Sequence, residues 1–304
     1  MPFTMHPKPP FDFQRSAQMH SRFQNSQPDL YENNVYMRVL RTNKKPVLVS
    51  VSSIGTTEQP RLLVDTYPLL DSNSEILALK HVLRSMFEPT FDFDQFYTIA
   101  RKDSAMRTIA KELRGLRPIR PPTVFESVII AITEQQISLC AAIAIRSRLV
   151  QRYGSTVTRV GRIFYGFPTP ESLAKAKPAG LRKVGLSASK TRCISEFSKK
   201  ITNNEFDLNE LSRMDDEHVV AELTKFRGIG EWTAKYTLVR GMGRANSLPA
   251  DDLGIRRAVS QAYFNGRNVS PEEVSDTLTK RFAPYSGIAA FYLMYHLFWE
   301  QTSS

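Results

Sequence analysis

Residues 225–236, KFRGIGEWTAKY, have a spacing of residue types that could do chemistry. Gly228 and Gly230 flank Ile229, and glycine permits positive φ angles and close approach of another molecule to the backbone. If a helix begins directly after Gly230, a phosphate group can contact its first amides, where the helix dipole also favours an anion. The pattern therefore predicts a phosphate contact at a turn that Ile229 plugs. A tight turn between two helices that binds nothing is the alternative.

The net charge of the chain is confined to one part of it. Residues 1–100 contain equal numbers of basic and acidic side chains, so the whole excess of +11 belongs to residues 101–304. The excess is densest in residues 175–200, which have eight basic side chains and one acidic. A concentrated basic surface indicates a polyanionic partner, most often nucleic acid. A solvated lysine-rich surface without such a partner is the other interpretation.

Composition excludes several classes of protein. The 304 residues, 41% of them hydrophobic, can bury one large core or several smaller ones. The apolar stretch 287–299 is too short to cross a bilayer, and the first residues lack the apolar run of a signal peptide. The five histidines show no metal-ligand spacing, and Cys140 and Cys193 are predicted to be buried thiols. We expect no metal, no cofactor and no membrane partner, and a location in the cytoplasm (at the nucleoid) of a prokaryote or the nucleus of a eukaryote.

The periodicity of apolar residues predicts an α+β fold that is mostly helical. Residues 1–33, rich in Pro, Gln and Ser, are expected to form a flexible tail. In residues 34–91, three segments alternate in the manner of antiparallel strands and one helical pattern follows them. Residues 92–304 consist of helical patterns separated by short breakers, which predicts an all-helical body. The sequence thus predicts a small antiparallel sheet domain followed by a basic helical domain.

Several segments together resemble the helix-hairpin-helix (HhH-GPD) superfamily of DNA glycosylases, and within it the AlkA-type 3-methyladenine branch. The hairpin in residues 223–236 is followed by SLPADDLGIRRAV (247–259), as in that superfamily, where a lone aspartate follows the hairpin. Segments similar to those of the AlkA-type branch, in its order, are FESVIIAITEQQIS (125–138), FPTPESLAKA (167–176), GLSASKTRCISEF (185–197) and PYSGIAAFYLMYH (284–296). The likeness covers residues 34–299. It implies a cleft between the hairpin and the aspartate, with damaged double-stranded DNA as the partner of a monomeric enzyme.

Asp252 is the catalytic residue that the resemblance implies. Hydrolysis of an N-glycosidic bond develops positive charge on the sugar, which a nearby carboxylate stabilises. In the family pattern the catalytic aspartate is followed by an aliphatic residue three places on and usually by a basic residue five places on. Ile255 and Arg257 stand there relative to Asp252, whereas Asp251 has Gly254 at the aliphatic position. Capping of the following helix is the structural alternative, and it is compatible with catalysis.

Trp232 occupies the place at which bifunctional relatives carry a lysine that attacks the sugar. Indole is not an amine nucleophile, so a Schiff-base route is excluded there and water is expected to attack instead. Trp232 and Tyr236 share a helix face and match aromatic base-pocket positions of the AlkA-type branch, where electron-rich rings suit a cationic alkylated purine. Ordinary core packing is the alternative. Met294 replaces a tryptophan of the best-known bacterial members, so the third pocket wall, with Tyr295 beside it, stays open.

The resemblance also implies residues that contact DNA. Gln136 matches the side chain that fills the gap left by the flipped base. The other predicted contacts come from the hairpin and from a basic helix before it: Gly228, Ile229, Gly230, Thr233, Ser187 and Lys190. The implied function is a monofunctional glycosylase that removes 3-methyladenine-like bases and starts base excision repair without lyase activity. A glycosylase for deaminated or oxidised bases, and a non-catalytic helix-hairpin-helix DNA-binding protein, are the alternatives.

Overall fold

The computed structural model describes residues 2–19, 27–42, 45–70, 72–88 and 90–300, except for the side chains of residues 299 and 300. The chain divides into two compact units. Unit 1 consists of residues 1–88, 115–213 and 226–228, and unit 2 of residues 89–114, 214–225 and 229–304. The predicted boundary between residues 91 and 92 lies close to the first of these crossings. Residues 115–213, however, group with the sheet, which the sequence division does not anticipate.

Helices dominate both units, so the predicted α+β fold, mostly helical and with a small antiparallel sheet near the N-terminus, is confirmed. In chain order they are α1 (Phe13–Gln18), α2 (Asn73–Phe87), α3 (Phe93–Ala100), α4 (Ser104–Glu112), α5 (Val124–Glu134), α6 (Leu139–Tyr153), α7 (Pro170–Ala174), α8 (Pro178–Lys183), α9 (Ala188–Thr202), α10 (Asp216–Thr224), α11 (Glu231–Tyr236), α12 (Leu253–Tyr263), α13 (Pro271–Phe282) and α14 (Ser286–Tyr295). Glu210–Arg213 forms a 3₁₀ turn, and Thr237–Met242 and His296–Glu300 are π-helical segments that follow α11 and α14. Within the described part of the chain, none of the helices has the length and apolar composition that a membrane crossing requires.

Unit 1 is organised around an antiparallel sheet in the order β1-β5-β4-β3-β2. Its strands are β1 (Phe3–Met5), β2 (Leu30–Glu32), β3 (Val35–Arg41), β4 (Pro46–Ser53) and β5 (Leu62–Tyr67). The three longer strands are those predicted from alternation, and their register sets Val51 opposite both Tyr36 and Val64. These residues join the core formed with α2, so the period of two places one apolar face of each strand against that helix.

The expectation of a flexible tail over residues 1–33 is wrong for the described part of that segment. Strands β1 and β2 extend the sheet at its two edges. Phe11 and Phe13 pack against Phe87 with ring centroids 6.4 and 5.6 Å apart. The prediction failed because strands of three residues are too short to show alternation, and because these aromatic side chains stand among prolines and polar residues. Residues 20–26 lie outside the described residues.

A two-stranded β-hairpin interrupts the helices of unit 1. The prediction that residues 92–304 are entirely helical is therefore wrong for this segment. Its strands are β6 (Thr156–Arg159) and β7 (Arg162–Tyr165). Val160 and Gly161 form the turn with φ angles of +48° and +73°, the left-handed conformation that a two-residue hairpin turn favours. The buried side chains of the hairpin pack on the face of the five-stranded sheet opposite α2.

Unit 2 has an aromatic core that holds its helices in place. Tyr292 of α14 is fully buried, its ring lies 5.0 Å from that of Phe96, and its hydroxyl is 2.9 Å from that of Tyr97. Asp103 caps α4 and also accepts a hydrogen bond of 3.0 Å from the Tyr263 hydroxyl at the end of α12. These contacts fix α12 and α14, the two helices next to which the candidate site is built.

Candidate active site and DNA-contact segments

Asp252 stands at the N-terminus of α12. Its Oδ1 accepts hydrogen bonds from the backbone N–H groups of Gly254 and Ile255, at 2.8 and 3.0 Å. This is the N-cap arrangement expected for an aspartate before a helix, and it fixes the carboxylate at the helix start. The side chain is half-buried, whereas the neighbouring Asp251 is exposed. Because the cap uses only Oδ1, Oδ2 is left for another partner.

The partner of Asp252 Oδ2 is Trp232, whose indole Nε1–H donates a hydrogen bond of 2.9 Å to that oxygen. Tyr236, one turn further along, packs on the indole with ring centroids 5.4 Å apart and planes inclined by 37°. All three side chains are half-buried, which leaves part of each accessible. The structure therefore brings together the predicted catalytic carboxylate and the two predicted aromatic pocket residues.

Met294 lies beside the same helix cap. A Cβ atom on Gly254 would lie 3.1 Å from Asp252 Oδ1, 3.2 Å from Met294 Cε and 3.6 Å from Phe298 Cε2. The side chains of Asp252, Met294 and Phe298 thus meet at Gly254. Met294 therefore lies next to the predicted catalytic carboxylate, and its role as a pocket wall stays a prediction. Phe298 is a neighbour of the site that the sequence analysis missed. Its spacing of four residues from Met294 is the sequence signal that points to it.

Tyr295 has a different environment from Met294. It is 4% exposed, and its ring packs on that of Phe291 with centroids 6.3 Å apart. Adjacent residues on a helix point about 100° apart, so Met294 and Tyr295 do not share a face. The ring of Tyr295 lies in the core of unit 2, and its role as a pocket wall stays a prediction.

The two hairpin glycines have different backbone conformations and surroundings. Gly228 has a φ of +95°, and a Cβ atom on it would lie 3.1 Å from Cβ of Cys193, so both conformation and surroundings favour glycine there. Gly230 is the N-cap residue of α11 and supplies no capping side chain. A Cβ atom on Gly230 would meet nothing within 4 Å. The space before α11 is therefore open at this residue, as a phosphate contact requires.

Two other hairpin residues predicted to contact DNA have buried side chains. Ile229 is 3% exposed and Thr233 is 1% exposed. Ile229 plugs the turn, as its apolar side chain predicts. The Thr233 carbonyl accepts a hydrogen bond of 2.9 Å from the Thr237 hydroxyl, within the helical ladder. Because both side chains are buried, a DNA contact by either residue would involve its backbone, and that contact stays a prediction.

Gln136 lies in the turn between α5 and α6. Its side chain is exposed, and its φ of +55° is a left-handed value uncommon outside glycine and asparagine. Ser138 ends the turn by capping α6, since its Oγ accepts the N–H of Ala141 at 3.3 Å. The side chain predicted to fill the gap left by a flipped base is thus presented to solvent on a short, defined turn.

Ser187 and Lys190 both lie at the start of α9. Ser187 caps that helix by accepting the backbone N–H of Lys190 at 3.2 Å. The Lys190 ammonium donates hydrogen bonds to the carbonyl oxygens of Thr133 and Gln135, at 3.0 and 2.7 Å. The ammonium is therefore directed toward the end of α5, whereas the sequence analysis predicted that Lys190 contacts DNA.

The two cysteines have different environments, which corrects the prediction that both are buried. Cys193 is buried, and its apolar surroundings raise the pKa of the thiol to about 12. Cys140, in the first turn of α6, is exposed. Among the described residues, no group of three His, Cys, Asp or Glu side chains is arranged to hold a metal ion.

Comparison with known proteins identifies the family of the chain. Residues 129–284, which include the hairpin and Asp252, match the model of the family described as HhH-GPD superfamily base excision DNA repair protein. A DNA-3-methyladenine glycosylase of Bacillus subtilis (strain 168) is 26% identical over 264 residues, 86% of each chain. The structure of a 3-methyladenine DNA-glycosylase from Archaeoglobus fulgidus superimposes with a TM-score of 0.86 at 31% identity, covering 97% of both chains.

The likeness to a further solved structure is one of fold alone. The 8-oxoguanine glycosylase/lyase of Clostridium acetobutylicum, in complex with double-stranded DNA, matches with a TM-score of 0.76 at 18% identity, over 99% of each chain. The family assignment depends on the closer matches. On these grounds the chain belongs to the HhH-GPD superfamily of base excision DNA repair proteins, in its AlkA-type branch of 3-methyladenine DNA glycosylases, as the sequence resemblance indicated.

Proposed function

We propose that this protein is a monofunctional DNA glycosylase that removes alkylated purines of the 3-methyladenine type from double-stranded DNA and so starts base excision repair. The observation that carries the proposal is the joint position of Trp232, Tyr236 and Asp252, an aromatic pair beside a carboxylate that the indole itself orients. The names of the relatives from Bacillus subtilis and Archaeoglobus fulgidus support the substrate class.

Asp252 acts electrostatically on the sugar. As the glycosidic bond breaks, its electron pair leaves with the base and positive charge develops on the sugar, which a fixed carboxylate stabilises. Three donors orient this carboxylate: the amides of Gly254 and Ile255 and the indole of Trp232. An orientation that exists before the reaction does not have to be acquired during it. Water attacks the sugar, releases a proton to solvent and leaves a hydroxyl group at an abasic site.

Trp232 and Tyr236 bind the extruded base. The alkylated purine is cationic while it is attached to the sugar, and each electron-rich ring face contributes about 1–2 kcal/mol to binding a desolvated cation. The positive charge also makes the base a good leaving group, so the mechanism needs little protonation of it. Met294 and Phe298, both beside Gly254, extend the apolar surface next to the carboxylate. The flexible thioether of Met294 adapts to bases of different outline more readily than a rigid indole.

The reaction stops at the abasic site, without strand cleavage. A lyase needs an amine that attacks the sugar, and the motif position used for that amine is Trp232, whose N–H is bound to Asp252. Lys235, the lysine nearest to Trp232 in the sequence, forms an ion pair of 2.6 Å with Glu231, one turn earlier on α11. That pair directs the Lys235 ammonium along the surface of its own helix.

DNA binding depends on phosphate contacts and on one inserted side chain. Residues 175–200 contribute the basic surface, and Gly230 leaves the start of α11 open to a phosphate. Gln136 fills the gap that the extruded base leaves. One copy of the chain acts on one lesion.

The proposal is tested by incubating the protein with methylated duplex DNA and identifying the released bases by chromatography. We expect 3-methyladenine to be released by the wild-type protein and not by Asp252→Asn. Release of only deaminated or oxidised bases, from duplexes that contain them, would contradict the alkylated substrate class. DNA binding without release of any base would support the non-catalytic alternative instead.

A further inference from the structure

Lys190, on α9, holds the turn between α5 and α6 that contains Gln136. The last carbonyl groups of a helix have no partner within it, and those of Thr133 and Gln135, at the end of α5, accept hydrogen bonds from the Lys190 ammonium at 3.0 and 2.7 Å. A basic side chain also interacts favourably with the negative end of the helix dipole. One side chain of α9 therefore fixes the backbone on the N-terminal side of Gln136.

Two further contacts brace the same turn within unit 1. The side-chain amide of Gln135 donates a hydrogen bond of 2.9 Å to the carbonyl oxygen of Gly228, the first glycine of the hairpin. Glu134 pairs with Arg146 of α6 over 3.0 Å, and the two side chains are only 15% and 14% exposed. Several contacts of the neighbouring residues thus hold the left-handed backbone conformation of Gln136. An unfavourable backbone conformation persists only when the surrounding structure holds it in this way.

We propose that Lys190 is a positioning residue that holds the Gln136 turn in the conformation needed to insert the Gln136 side chain into DNA, rather than a residue that binds phosphate. This inference rests on the proposed function in one respect, the role of Gln136 as the side chain that fills the gap. Two of the three ammonium protons of Lys190 are already used by protein carbonyls, and its side chain is half-buried. Burial lowers the pKa of Lys190, as expected for a cation withdrawn from solvent.

The test separates positioning from phosphate binding by two equilibrium measurements on Lys190→Met. The first is the affinity for a duplex with a tetrahydrofuran abasic analogue, relative to an undamaged duplex. The second is the dependence of undamaged-duplex affinity on salt, whose log–log slope changes by about 0.9 for each phosphate that the protein no longer neutralises. We expect the preference for the abasic analogue to fall about tenfold, which corresponds to the removal of roughly one well-formed interaction, and the slope to stay unchanged.

Lys183→Met is the matched control, since it removes the same charge from an exposed side chain in the same basic segment. Because Lys183 belongs to the basic surface of residues 175–200, its loss is expected to weaken binding to both duplexes alike and so to leave the preference for the abasic analogue unchanged. Lys190→Arg, which retains a cationic donor, should recover most of that preference. If Lys190→Met does not fold, Lys190→Gln, which removes the charge but keeps an uncharged amide group as a donor, allows the same comparison.

A double-mutant cycle with Gln136→Ala shows whether Lys190 acts through the turn. Once Gln136 is truncated, Lys190→Met should cause little further decrease in the preference, because residues that act as a unit are not additive. Additive decreases, or a changed salt slope with an unchanged preference, would overturn the inference. Neither binding measurement requires base release, so both test the role of Lys190 whatever the substrate is. The proposed alkylated substrate class is tested separately, by the chromatography of methylated DNA.

Discussion

The Nε1 atom of Trp232 lies 2.9 Å from Oδ2 of Asp252, so the side chain at the nucleophile's place in the motif is bound to the predicted catalytic carboxylate. Oδ1 of the same carboxylate is held by the start of α12. One aromatic side chain therefore combines two functions in the proposed mechanism, a stacking face for the base and a hydrogen-bond donor for the group that stabilises the sugar.

Substitution of Trp232 by phenylalanine separates these two functions. Trp232→Phe keeps an aromatic face and removes the N–H that orients Asp252. Because a hydrogen bond to a charged group is worth about 1.5–3 kcal/mol, we expect single-turnover base release to slow at least about tenfold. Trp232→Ala, which also loses the ring, should be slower and should bind the lesion more weakly. Wild-type rates in Trp232→Phe would mean that the hydrogen bond has no part in catalysis.

Asp252→Asn should abolish most base release while the fold is retained. Asparagine caps helices about as well as aspartate, so α12 should still begin at the same place. Loss of the charge removes the electrostatic stabilisation of the sugar, and we expect a decrease of at least about a hundredfold under single-turnover conditions. Affinity for DNA should be equal or higher, since a negative charge near phosphates is removed. Asp251→Asn, at the exposed neighbour, is the matched control and should keep nearly the wild-type rate.

Borohydride should trap no covalent complex between the wild-type protein and DNA, because no Schiff base forms. Gel electrophoresis of the denatured mixture makes this measurement. Trp232→Lys introduces an amine at the position used by bifunctional relatives, but it also places a cation where a cationic base must stack. We therefore expect it to lose alkylated-base release and to gain trapping only on DNA that already contains abasic sites. Efficient trapping by the wild type would point to another lysine, with Lys235 the first to substitute.

Removal of Arg38 should destabilise the protein, and more at high pH than at low pH. Arg38 is buried and forms ion pairs with Asp29 and Glu126. Burial raises the pKa of Glu126 above its ordinary value, and the Arg38 guanidinium counteracts only part of that effect. Arg38→Met leaves the carboxylates without their cation, a change that costs about 3–5 kcal/mol.

The pH dependence follows from the direction of that shift. A carboxyl group with a raised pKa in the folded state stabilises the fold below its unfolded pKa, and this contribution is lost as the pH rises through the folded pKa. Arg38→Met raises the pKa of Glu126 further. The melting temperature of this variant should therefore fall more steeply between pH 5.5 and pH 8 than that of the wild-type protein. Adding Glu126→Gln should remove most of the difference, whereas an equal deficit at both pH values would contradict this account.

The parts of the site that depend on short spacings could be predicted from the sequence. Gly228 and Gly230 mark the turn, Asp252 marks the start of a helix, and Trp232 and Tyr236 are one helical turn apart. Each of these relations is fixed by the local geometry of the chain. The resemblance to a family then supplied the roles that local geometry does not.

The parts that depend on tertiary contacts could not be predicted in this way. Lys190 is one of eight basic residues in a short segment, and its acceptors, Thr133 and Gln135, lie 57 and 55 residues earlier in the chain. Nothing within the segment distinguishes the lysine that turns onto those carbonyls from lysines that face solvent. Strands β1 and β2 were missed for a related reason, because segments of three residues acquire their structure only by pairing with a longer strand.

The difference between the two cysteines gives the unmodified chain a built-in chemical probe. Cys140 is exposed four residues after Gln136, whereas Cys193 is buried and has a thiol pKa of about 12. Since the thiolate is the reactive form, alkylating reagents near neutral pH will modify Cys140 and spare Cys193. The rate of that modification, followed by mass spectrometry with and without duplex DNA, reports on coverage of the Gln136 turn without any substitution or attached dye.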